Sequence, residues 1–505
     1  MRKTILLVID GFGVRKEKKF NAVADARKPN YDLLVKKYPH TILKASGKYV
    51  GLPKGSQGNS EVGHLHLGAG RVVWQPLQRI NNSIKGKSFY KNAVLEKLAE
   101  NARKNNSLVH LTGLCSDGNV HSSIEHLKAL MEFFSRKKLG KKVRVHFIAD
   151  GRDVPTKSAP KYVKLIEKWR KKYGGRIATV CGRFYAMDRD KNWGRSEKYY
   201  NLLTEGIGAA AESAVEGIEG AYSAGIESDY YLPPIQVGEK CTINDSDSVL
   251  AFNYRTDRAR QITKAFMLKD FSEFKRAATP KVFFATFTEY DKAVKCPSIF
   301  PDVKVGGSLG EIISRKGLKQ LRVAETEKYA HVTYFFNSQV EKPFKGEERI
   351  LVPSSKVESY DMKPEMSADG ITENTVREIL KGKYSFMLIN FANPDLVGHS
   401  ANHAAIVKAV EKVDECLGKI YSAAMEEKYV LLVTSDHGNA EETAYPDGTP
   451  KASHTANPVP FILAADFPEL AKAKLWKGSL IDVAPTILKI MGLKKPKEMI
   501  GKPLY

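Results

Sequence analysis

Short runs of apolar residues, many of them β-branched, recur along the chain and predict buried strands. These runs cover residues 3–10, 108–114, 143–150, 176–182, 249–255, 282–287, 386–392, 429–436 and 459–465. Between some of them the apolar positions follow a helical period, as in 403–425, where Ile406, Val410 and Leu417 fall on one stripe. The alternation of strands and helices predicts an α/β fold with mostly parallel sheets.

Two stretches resemble linkers, residues 72–81 and residues 295–307, and the second is rich in proline and glycine. Hinges at these positions would make 1–75 and 305–505 one discontinuous domain, with 78–300 inserted as a second domain. The distribution of candidate metal ligands supports this division, because they occur only in the two outer segments. We therefore expect two α/β domains.

The composition suffices for packed cores, since 42% of the residues are hydrophobic and 10% aromatic. The longest apolar runs are too short to span a bilayer, and the N-terminal run ends at Asp10, too early for a signal peptide. The five cysteines are scattered and never in CxxC spacing, which argues against a disulfide framework and a zinc–thiolate site. We therefore expect a cytoplasmic protein, in a reducing location, with no membrane partner.

A formal charge of +23, from 80 Lys and Arg against 57 Asp and Glu, raises the alternative of a nucleic-acid-binding protein. The lysines, however, are spread along the whole chain and mixed with acids, and no aromatic–basic module is present. Such a surface favours solubility and would attract small phosphorylated anions. We expect a small-molecule substrate and no nucleic-acid partner.

Aspartates and histidines in the outer segments suit metal ions, and several of them follow predicted strands, at the sheet edge where ligands bind. The set is Asp10, Asp395, His399, Asp436, His437 and His454. Asp395 and His399 are four residues apart in NPDLVGH, a spacing that one helical turn or a tight loop brings to one ion. Mixed carboxylate and imidazole ligands suit Mn²⁺ or Zn²⁺ and can hold two ions.

The stretch QGNSEVGH at 57–64 places Ser60 among glycine and asparagine. Taken alone, this composition is typical of a surface turn. Beside metal ions the serine has a chemical role, since a cation lowers the pKa of its hydroxyl and a second cation offsets phosphoryl charge. Ser60 is therefore a candidate nucleophile.

The middle segment carries arginines beside glycine and aspartate at predicted strand ends. With one histidine and one aspartate, the set is His121, Arg152, Asp153, Arg183, Arg189, Arg255 and Arg258. Guanidinium groups match phosphate and carboxylate with two hydrogen bonds, so the set predicts an anion site. Arg255 and Arg258 would share one face if a helix begins there. In the outer segment, Lys328 is a candidate point charge for a phosphate.

Taken in order, nine motifs closely resemble those of cofactor-independent phosphoglycerate mutases, a family of the alkaline phosphatase superfamily. The motifs are QGNSEVGH, SDGNVHS, ADGRD, GRFYAMDRD, NYRTDRARQ, AETEKYAHVTYFFN, NPDLVGH, SDHGNAEE and HTANPVPF. The resemblance covers essentially the whole chain. It implies a phosphatase-like metal domain with an inserted transferase domain, and interconversion of 3-phosphoglycerate and 2-phosphoglycerate in glycolysis or gluconeogenesis without 2,3-bisphosphoglycerate.

Residue by residue, the resemblance implies two Mn²⁺ sites, although Mg²⁺ or Co²⁺ would also suit such ligands. One site comprises Asp10, Ser60, Asp436 and His437, and the other Asp395, His399 and His454. Ser60 would become phosphorylated, while the seven-residue arginine set and Lys328 would hold the substrate, with Asp153 as acid or base. The sequence departs from the family pattern at VHSS, where VHSH is usual, and at FFNSQ, where FFNGG is usual. These departures concern the partners of His121 and a loop near Lys328.

Two alternatives stay open at this point, and nothing in the sequence requires more than a monomer. One is a plain metal-dependent phosphatase or a phosphopentomutase on the same scaffold, against which the extended arginine set and the motif order argue. The other is the nucleic-acid binder, which predicts salt-sensitive binding to DNA or RNA.

Overall fold

The computed structural model describes residues 1–302 and 305–505, so residues 303–304 of the predicted linker 295–307 lie outside the described part. The strands are β1 Thr4–Ile9, β2 His40–Lys44, β3 Val109–Leu114, β4 Val143–Ala149, β5 Arg176–Gly182, β6 Ala209–Ala211, β7 Ile235–Val237, β8 Ser248–Ala251, β9 Phe283–Thr286, β10 Gln320–Glu325, β11 Glu347–Val352, β12 Phe386–Phe391, β13 Val430–Thr434, β14 Val459–Ala464 and β15 Gly478–Ser479. Each of the nine predicted strands is present in this set.

The α-helices are α1 Ala22–Asp25, α2 Pro29–Lys37, α3 Ser60–Ala69, α4 Pro76–Lys85, α5 Ala93–Lys104, α6 Ile124–Arg136, α7 Ala159–Tyr173, α8 Arg183–Ala186, α9 Trp193–Glu205, α10 Ala214–Ser223, α11 Arg260–Met267, α12 Leu309–Arg315, α13 Thr326–Ala330, α14 Ala368–Leu380, α15 Asn393–Gly398, α16 His403–Glu426, α17 Pro468–Ala471 and α18 Val483–Ile490. A π-helical turn, His331–Phe335, follows α13. None of the helices within residues 1–302 and 305–505 has both the length and the hydropathy needed to cross a bilayer.

The chain folds as two units, each with its own sheet. The outer unit comprises Met1–Gln75 and Lys304–Tyr505, and the middle unit comprises Pro76–Val303. The structure therefore contains two units with these bounds. Metal binding by the outer unit and substrate binding by the middle unit stay predictions.

The outer unit is built on an eight-stranded sheet in the order β11-β10-β12-β1-β13-β14-β2-β15. The strands from β11 to β13 are parallel, and β14 is antiparallel to both of its neighbours. Ile5 and Leu7 of the central strand β1 belong to one hydrophobic core, together with Leu417 of α16, and Leu6 and Val8 belong to another. Because both faces are covered, the central strands β1, β12 and β13 are buried at every position and are mostly apolar. Helix α16 confirms the predicted stripe.

The middle unit has a seven-stranded sheet in the order β6-β7-β5-β4-β3-β8-β9, in which only the β5–β7 pair is antiparallel. Its two faces are also both covered, with Leu111 and Val145 in one core and Leu114 and Ile148 in the other. In both units the carboxyl ends of the parallel strands therefore share one edge of the sheet, where ligands bind in such folds.

Two local predictions are wrong. The predicted linker 72–81 contains the start of helix α4, which begins at Pro76, because Leu77, Ile80 and Ile84 recur at helical spacing and pack on the core. Proline suits the first turn of a helix and therefore did not exclude one. The second concerns Arg255 and Arg258, which precede α11 rather than lie in a helix.

Candidate active site

Ser60 is the first residue of α3, where Asn59 caps the helix by accepting a hydrogen bond from the backbone N–H of Val62. Its hydroxyl oxygen lies 3.1 Å from Asp10 Oδ1 and 3.0 Å from His437 Nε2, and it accepts a 2.6 Å hydrogen bond from Lys328 Nζ. The side chain is buried. Ser60 thus lies in a polar cluster rather than in a solvated turn.

Lys328 connects the serine to two carboxylates. It lies on α13, directly after the carboxyl end of β10, and its ammonium donates to Asp10 Oδ1 at 2.8 Å and to Asp395 Oδ2 at 2.7 Å. Burial opposes a charged ammonium, but the two carboxylates outweigh it and raise the pKa of Lys328 above its ordinary value. The lysine is therefore a fixed positive charge beside the serine hydroxyl.

The predicted metal ligands of the outer unit converge on the same place. Ligand atoms within 4.8 Å of one another form two groups, Asp10 with His64 and Asp436, and Asp395 with His437 and His454. In the described part of the chain, the buried Asp436 Oδ2 receives no hydrogen bond, although His64 Nδ1 lies 3.2 Å away. A buried carboxylate oxygen without a donor, in a carboxylate and imidazole donor set, fits a divalent cation.

His399 lies beside the second group. The predicted four-residue spacing forms a helical turn, since the His399 backbone N–H donates to the Asp395 carbonyl at 3.1 Å. His399 Nε2 is 3.2 Å from His454 Nε2, which in turn is 3.1 Å from Asp395 Oδ1. Two imidazole nitrogens and a carboxylate oxygen that face one another suit a shared cation.

His64 was not predicted as a site residue. Its Nδ1–H donates to the Ser60 carbonyl at 2.9 Å, and its Nε2 accepts from Asn390 Nδ2 at 3.1 Å. Because both ring nitrogens are engaged in these hydrogen bonds, His64 has no free nitrogen for a cation, although its ring lies beside Asp436. The helical period could have revealed it, because it follows Ser60 by one turn of α3.

Charge in the cluster is tightly compensated. Burial alone would raise the pKa of Asp10, but the Lys328 ammonium lowers it below the ordinary range. Burial would lower the pKa of His437, but Asp436 and Asp395 raise it to about 10. The carboxylates thus stabilise positive charge around Ser60, which is what a phosphoryl-binding site requires.

In the middle unit, the buried Arg183 organises the ADGRD turn. Its Nη1 donates to Asp150 Oδ1 and to Asp153 Oδ2, both at 2.6 Å. Asp150 Oδ1 also accepts from the backbone N–H groups of Arg152 and Asp153. Asp150 was not predicted, although it is the first residue after strand β4, the position that marked the other candidates.

Asp257, which was also not predicted as a site residue, contacts three of the predicted residues. It accepts from Arg189 Nη1 at 2.9 Å, and its Oδ1 lies 3.2 Å from Arg255 Nε and 3.6 Å from His121 Nδ1. Burial and the nearby Arg183 lower the pKa of His121 to about 4, so this imidazole is neutral at pH 7. The cluster is therefore rich in guanidinium groups with a neutral hydrogen-bonding imidazole.

The remaining two arginines differ in their surroundings. Arg258 is buried, and its Nη1 donates to the Met187 carbonyl at 3.0 Å. Arg152 has an exposed side chain on the turn that Arg183 holds. The structure thus gathers His121, Arg189 and Arg255 around Asp257, pairs Asp153 with Arg183 in a second group of contacts, and places Arg152 on the turn that Arg183 holds.

Comparison with known proteins gives a consistent set of relatives. A profile of the Metalloenzyme superfamily matches residues 2–495. A 2,3-bisphosphoglycerate-independent phosphoglycerate mutase of Clostridium botulinum (strain Langeland) is 48% identical over 510 residues, spanning 100% of this chain and 99% of that protein. The protein of the same name from Moorella thermoacetica is 47% identical over 508 residues, spanning 100% and 98%.

Among solved structures, Leishmania mexicana phosphoglycerate mutase, studied at low cobalt concentration, is similar across the whole chain. It aligns with a TM-score of 0.63 and 32% identity, and the alignment covers 100% of this chain and 98% of that one. Sequence and structure comparisons therefore point to the same group of enzymes.

Proposed function

Because this chain belongs to the 2,3-bisphosphoglycerate-independent phosphoglycerate mutases, we propose that it interconverts 3-phosphoglycerate and 2-phosphoglycerate through a phosphoserine formed on Ser60. The observation that carries the proposal is the position of the Ser60 hydroxyl, 2.6 Å from Lys328 Nζ in a buried cluster of carboxylates and imidazoles. No 2,3-bisphosphoglycerate is needed, since the enzyme itself carries the phosphoryl group.

The family is one of metalloenzymes, and the donor set of the outer unit fits a divalent cation. We assign two Mn²⁺ per chain, with Mg²⁺ or Co²⁺ as substitutes. One ion would be held by Asp10, Ser60, Asp436 and His437, and the other by Asp395, His399 and His454. When bound, such ions would lower the pKa of the serine hydroxyl and neutralise phosphoryl charge.

The residues of the outer unit perform the transfer. The Ser60 hydroxyl first loses its proton to solvent. Its Oγ then attacks phosphorus, so that the Oγ–P bond forms as the bond from phosphorus to the substrate 3-oxygen breaks. Lys328 donates a hydrogen bond to the serine oxygen, and its positive charge stabilises the phosphoryl oxygens while the phosphoryl group is transferred. In the second step the glycerate 2-hydroxyl attacks the phosphoserine, and the Ser60 oxygen leaves.

The residues of the middle unit bind glycerate and transfer protons to and from its oxygens. The guanidinium groups of Arg183, Arg189, Arg255, Arg258 and Arg152 suit the carboxylate, and neutral His121 suits a hydroxyl. Asp153, fixed by its 2.6 Å contact with Arg183, supplies a proton to the departing 3-oxygen and removes one from the 2-hydroxyl.

We further propose that the protein acts as a cytoplasmic monomer, without a nucleic-acid or membrane partner. Its free cysteines, Cys115, Cys181, Cys241, Cys296 and Cys416, support a reducing location. The phosphatase alternative lacks a use for the arginine cluster of the middle unit.

The deciding experiment assays purified protein with 3-phosphoglycerate in the absence of 2,3-bisphosphoglycerate, first after EDTA and then after adding Mn²⁺. Formation of 2-phosphoglycerate that disappears with EDTA and returns with Mn²⁺ is expected. Release of free phosphate without isomerisation would support a phosphatase instead.

A further inference from the structure

Glu441 is a fully buried carboxylate of the SDHGNAEE segment that the mechanism above does not use. Its Oε2 accepts from the backbone N–H groups of Gly13 at 3.0 Å and Asn439 at 2.8 Å. Its Oε1 accepts from Asn457 Nδ2 at 3.0 Å and from the Thr455 hydroxyl. Burying an ionised carboxylate is costly unless donors surround it, and here four neutral donors do so.

These donors belong to three separate loops, each of which carries a proposed metal ligand. Gly13 follows Asp10 by three residues, Asn439 follows His437 by two, and Thr455 directly follows His454. Asn439 also extends the connection to a fourth ligand, since its Nδ2 donates to Asp395 Oδ1 at 3.0 Å. One carboxylate therefore joins segments that are distant in sequence.

The loops pack closely against the Glu441 carboxylate at two glycines. A β-carbon at Gly13 would lie 2.2 Å from Glu441 Cδ, and one at Gly438 would lie 2.4 Å from Glu441 Oε1. Two glycines thus permit the close approach of the loops to this carboxylate. Since each of its oxygens already accepts two hydrogen bonds, Glu441 is not itself placed to ligate a cation.

We propose that Glu441 is a positioning residue that fixes the ligand-bearing loops and thereby sets the affinity of the outer unit for divalent cations. The proposal rests on the proposed function, in that Asp10, His437 and His454 are taken as ligands. Partners behind metal ligands commonly change metal affinity by about 10- to 100-fold when they are replaced.

The test measures Mn²⁺ binding by calorimetry on EDTA-stripped, full-length protein, comparing wild type with Glu441→Gln. Glutamine keeps the shape of the side chain but replaces one carboxylate oxygen with an amide NH₂ group. The two donors that this oxygen accepted from would then point at another donor, and both hydrogen bonds would be lost. We expect Mn²⁺ affinity to fall by about 10-fold or more, and mutase activity at limiting Mn²⁺ to fall and recover as Mn²⁺ is raised. Glu442→Gln is the matched control, because Glu442 pairs with Lys451 at 2.9 Å and contacts the donors of Glu441 only through Asn457 Nδ2 at 3.5 Å, and this variant should bind Mn²⁺ as the wild type does.

If Glu441→Gln does not fold, Thr455→Val removes a single donor with little change of shape and should still weaken Mn²⁺ binding several-fold. Unchanged affinity in a folded variant would overturn the proposal, as would a lower melting temperature of the stripped protein with unchanged affinity. Failure of the wild type to bind Mn²⁺ would instead overturn the proposed function, so the two failures are distinguishable.

Discussion

The ammonium group of Lys328 lies 2.6 Å from the hydroxyl oxygen of Ser60, and the same ammonium joins Asp10 to Asp395. A turn serine would be solvated, whereas this one is enclosed by groups that bind anions and cations. The position gives the hydroxyl a fixed direction and a nearby positive charge. These are the two conditions that a serine needs to accept a phosphoryl group.

Replacement of Ser60 by alanine should abolish mutase turnover and leave the fold intact. The change removes only an oxygen, and Asn59 still caps α3 through the backbone N–H of Val62. The measurement combines the coupled assay for 2-phosphoglycerate with a thermal melt of both proteins. Turnover near the wild-type rate would show that another residue is the nucleophile.

Lys328→Met should both abolish turnover and destabilise the EDTA-treated protein. The substitution leaves Asp10 and Asp395 buried without their cation, and breaking a buried pair in this way costs about 3–5 kcal/mol. Urea unfolding of the two EDTA-treated proteins measures the difference. Lys383→Met, which breaks a surface pair with Glu348, should cause little change, and an equal loss in both variants would contradict the argument.

The fold was largely predictable where strands are buried on both faces, as in β1, because such strands read as nearly continuous apolar runs. Strand β10 escaped detection because it contains Gln320, Arg322 and Glu325, all of which are buried. Arg322 is accommodated since it donates to Gln320 Oε1 at 2.7 Å and lies over the Phe336 ring. Because Phe336 lies outside the strand, the sequence of β10 alone does not show that its polar side chains are buried.

The site shows the same limit. Asp10 and Asp436 could be singled out because parallel strands bring their carboxyl ends to one edge. Glu441 and Asp257 could not, because their roles follow from hydrogen bonds between loops whose conformations no local pattern specifies. The prediction of a linker at 72–81 was wrong for a related reason. The few apolar residues of this stretch form a helix face only when a core is present to bury them.

The departure FFNSQ has a measurable consequence. Ser338 and Gln339 have φ of 58° and 67°, left-handed values that favour glycine, which the family pattern has at both positions. Replacing both residues by glycine should relieve this strain and stabilise the protein by about 1 kcal/mol after the entropy of glycine is counted. Urea unfolding measures the change, with Ser354→Gly as a control outside the left-handed region. A loss of stability would show that the serine and glutamine side chains compensate for their backbone.

Arg255→Lys should reduce kcat/KM by roughly 10-fold or more, the loss expected for a two-bond contact worth about 1.5–3 kcal/mol. Arg255 Nε lies against Asp257, which leaves the other guanidinium nitrogens to contact an anion, and lysine cannot do both. Steady-state kinetics with 3-phosphoglycerate provide the measurement. Arg136→Lys, at a surface pair with Glu132, should retain the wild-type rate. A near-normal rate for Arg255→Lys would remove this residue from the anion site.

His126 should make the protein less stable in acid. Its Nε2–H donates to Asn81 Oδ1 at 2.8 Å, and its buried Nδ1 has no hydrogen-bond partner in the described part of the chain. Protonation would place an N–H where no acceptor lies, and burial accordingly lowers its pKa to about 3. At pH values between the unfolded pKa near 6.5 and the folded pKa of about 3, the imidazole binds a proton only in the unfolded chain. Stability is therefore present above pH 6.5 and is lost as the pH falls, by about 1.4 kcal/mol per pH unit.

The variant His126→Gln isolates this contribution from that of other buried histidines, since glutamine keeps a donor for Asn81 but does not titrate. From pH 7 to pH 5, the free energy of unfolding of the variant should fall by about 2 kcal/mol less than that of the wild type. Urea unfolding in the presence of EDTA at both pH values measures the difference and removes any effect of metal loss. His40→Gln, at an exposed histidine, should follow the wild type. Equal losses in the wild type and His126→Gln would mean that the Nδ1 environment admits a proton, and the acid sensitivity would then lie elsewhere.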